Sequence, residues 1–79
     1  MSHVPHELPE EFPDKVTVMH DLKLTDAHFQ RLSDEYHELN RQIHRVETGI
    51  EPTSEQFETE LRKKRLMLKD EIAAMLANA

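Results

Sequence analysis

The 79-residue sequence contains no Cys and no Trp, a single Gly, three Phe and one Tyr. Without Cys there can be neither a disulfide framework nor a thiolate zinc site, so packing must supply the stability. One Gly leaves no material for a Gly-rich phosphate loop, and scarce Gly beside abundant Leu, Glu, Lys, Arg and Gln favours helix over sheet. No apolar run approaches the ~18 residues that cross a bilayer. Nor does the start resemble a secretion signal, because Glu7, Glu10, Glu11 and Asp14 all precede the first cation, Lys15. Cation excess is also missing: the formal charge of −6 opposes general attraction to nucleic acid or anionic lipid. These absences predict a cytoplasmic protein with no membrane partner.

What is present is a heptad. Phe29, Leu32, Tyr36, Leu39, Ile43 and Val46 recur in alternating steps of three and four. Such a seam belongs to a helix that buries one stripe against another helix. Thr25 is the expected N-cap of that helix, and Gly49 supplies the left-handed residue that ends it. Ile50 can then fold back onto Val46, and Pro52 stops any continuation. Thr53, Ser54, Glu55 and Gln56 match a capping box with Thr53 as the cap and Gln56 reaching back. Helices over 25–48 and 53–77 joined by so short a turn are antiparallel neighbours. Their apolar patterns interlock, pairing Ile43 with Phe57, Leu39 with Leu61, Leu32 with Leu68 and Phe29 with Ile72. Tyr36 then meets Lys64 and Arg65, whose stems can lie over the ring while the phenol keeps access to water. Asn78 and Ala79 are expected to fray.

The N-terminal side is weaker. Residues 1–12 hold Pro5 and Pro9 and little apolar surface, and residues 1–14 carry −4 of the formal −6. A flexible acidic arm over 1–12 is expected. Pro13 suits a helix start, and Val16, Met19 and Leu22 form a short apolar stripe over 13–23. The predicted fold is therefore all-α: an antiparallel, coiled-coil-like hairpin domain over 13–79, with a short N-terminal helix and a disordered arm.

Candidate chemistry is sparse. Six His invite a metal, but His37 and His44 lie seven apart, a rise of ~10 Å, and no i, i+4 His pair occurs on a predicted helix. No metal or other cofactor is expected. The basic run Arg62, Lys63, Lys64, Arg65 sweeps about 300° of helix and is flanked by acids, so it cannot present one face to a phosphate backbone. Glu58–Arg62 and Glu60–Lys64 are better read as i, i+4 pairs. With no Cys nucleophile, no HExxH and no concave pocket in a narrow hairpin, neither catalysis nor a small-molecule substrate is expected.

Surplus apolar surface is the remaining signal. Leu66, Met67, Met75 and Leu76 exceed what one partner helix covers, and Val16 and Met19 lie near the same end. This set is the candidate interaction surface, to be met by a second protomer or a partner helix. The expected role is non-enzymatic self-association or protein–protein interaction. The alternative is a nucleic-acid accessory role through 62–65.

Three segments also carry a family likeness: Phe12-Pro13 opening the first helix, HFQRLSDEYHELNRQIHRVE, and LRKKRLMLKDEI. Together, over 12–75, they resemble the YdcH family of short bacterial proteins, whose function is unknown. The resemblance implies a cytoplasmic helical hairpin with no assigned catalytic residues to carry over.

Overall fold

The computed structural model describes residues 4–49 and 53–79. Among the described residues four helices follow one another: α1 (Leu8–Glu11), α2 (Val16–Thr25), α3 (Ala27–Glu47) and α4 (Glu55–Ala77), with a 3-10 turn at Pro13–Lys15. The all-α hairpin of α3 and α4 is the frame. At ~1.5 Å per residue the 23-residue α4 is ~35 Å long, most of the molecule's 38 Å longest dimension.

The caps explain the boundaries. Asp26, not Thr25, caps α3: its Oδ1 accepts from the backbone N–H of His28 at 3.0 Å and of Phe29 at 3.1 Å. Thr25 instead completes α2, its hydroxyl donating to the Asp21 carbonyl at 2.9 Å. A carboxylate is the stronger acceptor at the positive helix end, which displaces the start by one residue. Gly49 takes φ +78°, as a C-terminal left-handed residue should. The expectations for Ile50 and Pro52 lie outside the described residues. Ser54, rather than Thr53, caps α4 by accepting from the Phe57 N–H at 3.1 Å. Starting there puts Glu55 and Glu58 in the first turn. Asn78 ties off the far end instead of fraying, its amide donating to the Ala74 carbonyl at 2.9 Å.

One core runs between the helices. Phe29, Leu32, Tyr36, Leu39 and Ile43 of α3 meet Leu61, Leu68, Ile72 and Leu76 of α4, joined by Leu8 and Met19. Phe57 departs from the expected pairing: it is 46% exposed, although Ile43 is fully buried. The buried stripe of α4 is rotated towards Arg65 and Lys69, both half-buried, and away from Phe57 and Lys64. On the Arg65 and Lys69 side, residues 5–12 lie across the hairpin in place of the expected flexible arm, with Leu8 buried and the Pro5 and His6 carbonyls bound by α3.

Candidate functional site

The hairpin has two grooves, one on each side of the α3–α4 seam. The first is occupied by the chain's own residues 5–12. Leu8, the one buried side chain of α1, joins the core, and this short helix starts without a side-chain cap, with Pro9 in its first turn. Before it, His6 adopts φ 64°, a left-handed conformation that costs a non-Gly residue about 1–3 kcal/mol. That turn lets two successive carbonyls meet α3. Tyr36 Oη donates to the His6 carbonyl at 2.6 Å, and Asn40 Nδ2 donates to the Pro5 carbonyl at 2.8 Å. Arg65 closes the relay from α4 by donating to Asn40 Oδ1 at 2.9 Å.

Charged groups fasten the edges. Glu7 pairs with His37 Nδ1 at 3.0 Å and lies 3.4 Å from Asn40 Nδ2. Glu11 Oε1 accepts from Lys69 Nζ at 3.3 Å and pairs with His6 Nδ1 at 3.1 Å. Lys69 also stands 5.9 Å from the centre of the Phe12 ring, within cation–π range. Burial pushes the Glu11 carboxyl upward, but the hydrogen bonds and charges of His6 and Lys69 outweigh it and leave it below 4.5. Tyr36 moves the other way. Burial first, then the Glu11 and Glu7 carboxylates, raise its phenol to about 12 against a smaller opposing pull from Arg65. The expected water-accessible phenol is therefore corrected: Tyr36 is fully buried and hydrogen-bonded.

Ser33 and Asn40 are the residues that sequence reasoning missed. Both are buried, and they sit three before and four after Tyr36, on the side of the seam that faces the strap. A polar period of seven beside an apolar heptad was the available signal.

The second groove is open. Its α3 wall carries Glu35, Glu38 and Gln42, and its α4 wall carries Glu60, Lys63 and Lys64. Leu39, Leu61 and Leu68 form the floor, with Phe57 and Met67 along the rim. Met67 is 64% exposed. Glu35, Glu38, Lys63 and Lys64 make no ion pair among the described residues, so the expected Glu60–Lys64 pair does not form.

The candidate interaction residues accordingly separate. Met67 lies in the open groove, while Leu66 is exposed beyond its lining. Val16 is exposed beside a small cavity of about 170 Å³ lined also by Leu8, Pro9, Met19, His20 and Lys23. Leu76 and Met19 are core residues at 3% and 5% exposure, and Met75 is half-buried. Leu76 and Met19 are thus covered within one chain, and Met75 is covered in part. The basic run is dispersed as well. Arg62 bridges Glu47 at 2.9 Å and Glu58 at 2.7 Å, stapling α3 to α4 near the turn, and its guanidinium is held further towards the charged form by the Glu47 hydrogen bond. Arg65 serves the strap, and only Lys63 and Lys64 reach the open groove.

Among the described residues no three His, Asp or Glu side chains converge as a metal set, and no helix is long and apolar enough to cross a membrane. Searches of curated proteins and of solved structures gave no match. A family model described as "Protein of unknown function (DUF465)" matches residues 29–76, from the third residue of α3 to the last but one of α4. The match begins after the strap and α2, so the hairpin is what the family model shares with this chain. On that match, the chain belongs to the DUF465 family of small bacterial proteins of unknown function, the YdcH family.

Proposed function

We propose that this protein is a non-enzymatic, cytoplasmic helical interaction module that receives a helix of a protein partner in its open groove. One observation carries the reading. Phe57 and Met67 stand exposed over a floor of Leu39, Leu61 and Leu68, a pattern that fits the apolar face of an incoming helix. The groups with displaced pKa values support it from another direction. Tyr36 and Glu11 hold the strap, and Arg62 staples the two long helices, so each displacement is used by packing. Met is suited to such a rim, because its flexible thioether adapts to the surface it meets.

The test is site-specific cross-linking in the native cell. A photoreactive residue replacing Met67 should give protein adducts, while one replacing the exposed Arg41 on α3 should not. Absence of any adduct at position 67, or equal yields at both positions, would overturn the reading.

A further inference from the structure

The α4 wall of the open groove is basic at Lys63 and Lys64, with Glu60 one turn before them, and the α3 wall is acidic at Glu35 and Glu38. Glu35, Glu38 and Lys64 line one length of it together, and Lys63 is adjacent. From this we infer that the occupant of the groove is a second copy of this chain, related by a two-fold axis parallel to α3 and α4. The inference rests on the groove being a docking site, as proposed above, and specifies what docks there.

Symmetry selects the arrangement. A two-fold parallel to the helices carries α3 of one copy over α4 of the other without shifting it along the axis. The acidic α3 wall then meets the partner's basic α4 wall, twice, and Phe57 and Met67 of both copies are enclosed between them. A two-fold lying across the helices would set acid on acid and base on base. The favoured arrangement also makes every adjacent helix pair antiparallel, so the helix dipoles alternate around a four-helix bundle. An isologous contact of this kind requires a surface complementary to itself. A groove whose walls carry Glu35 and Glu38 on one side and Lys63 and Lys64 on the other, over an apolar floor, meets that requirement. The strap lies across the opposite groove and would stay in place.

Charge exchange tests this directly. Glu35→Lys/Glu38→Lys sets Lys on both walls of that stretch, and Lys63→Glu/Lys64→Glu sets Glu on both. All four side chains are exposed, and unchanged far-ultraviolet circular dichroism would confirm that each variant folds. In sedimentation equilibrium the wild type should dimerise, and each variant alone should dissociate at least about tenfold more readily. An equimolar mixture of the two should recover a dimer containing one chain of each, because basic walls then face acidic walls at both contacts. Met67→Ala, at the exposed rim, should weaken the wild-type dimer without altering any charge. A wild type that stays monomeric at high concentration, or a mixture that shows no recovery, would overturn the inference. If cross-links from position 67 then contain only other proteins, the second copy is wrong while the docking groove stands; with no cross-links, both fail.

Discussion

The same two helices present two grooves, and the chain treats them in opposite ways. On one side, residues 5–12 lie across the seam and bury Leu8. They also engage Tyr36, Asn40 and Lys69 through hydrogen bonds of 2.6–3.3 Å, and Arg65 backs Asn40 from α4. On the other, Glu35, Glu38, Lys63 and Lys64 flank an apolar floor without pairing, and Phe57 and Met67 face solvent. The difference teaches how a chain below the comfortable size for a single core can still close one. It folds a proline-bearing segment over one groove and satisfies that segment's carbonyls with side chains from α3. Stability is concentrated in the covered groove, and the open one is left for association.

The largest effects should therefore come from the residues under the strap. Tyr36→Ala removes a fully buried ring and leaves the His6 carbonyl without its donor, so a loss of about 3–5 kcal/mol is expected in chemical denaturation. That is a large share of the stability of a domain of this size. Next comes alkaline pH. Tyr36 is the sole Tyr, so tyrosinate absorbance reports it alone. Its folded pKa of about 12 lies above the ordinary 10.0, meaning the folded state holds the proton more tightly. The associated stability is present in full below pH 10 and is lost as the pH rises towards 12, by up to ~2 kcal/mol. Deleting residues 1–12 should return the titration to near the ordinary value. An unchanged midpoint after that deletion would break the contrast, since it would mean that the strap does not cover the phenol.

How much of this could be read in advance follows from what each element depends on. The hairpin was legible because its determinants are local or periodic: a heptad in α3, a left-handed Gly49, hydroxyl residues before α4. The one-residue errors at the caps arose where two adjacent residues could both cap, and the choice between Thr25 and Asp26 turned on which oxygen reached two N–H groups. The strap was illegible for a different reason. Two prolines and few apolar side chains describe a disordered segment by composition, yet its fixation depends on backbone carbonyls that carry no sequence signature. Only the acceptors' partners could betray it, and Asn40 in the middle of a helix is a weak clue. At the site, Phe57, expected opposite Ile43, is exposed, and Leu76 and Met19, expected at the surface, lie in the core, whereas Met67 is exposed as its off-seam position implies.

Smaller effects sharpen the same contrast. Asn40→Ala removes a donor to the strap and strands the Arg65 guanidinium, and about 1–3 kcal/mol should be lost. Lys69→Ala should cost less, because the Glu11 pair and the Phe12 ring contact are both partly exposed. Its signature is pH dependence. Glu11 titrates below 4.5 in the folded chain, so its contribution is present above that value and fades as the pH falls through the lower folded value. In Lys69→Ala, the acid-side loss should shrink by about 0.5 kcal/mol or less. Thermal melts of both proteins across the acid range would show whether the two curves converge.

The smallest effect is the one that separates the grooves most cleanly. Met67→Ala and Lys64→Ala alter exposed side chains on a helix that tolerates Ala well, so at dilute protein each should change stability by no more than ~0.5 kcal/mol. At high protein concentration Met67→Ala should fall behind the wild type, because association stabilises only a chain that can associate. Measuring both variants at two concentrations thus distinguishes a groove that is open from one that is closed by intramolecular contacts. A deficit as large as that of Asn40→Ala under dilute conditions would mean that the second groove, too, is held within the single chain, and the asymmetry between the two sides would disappear.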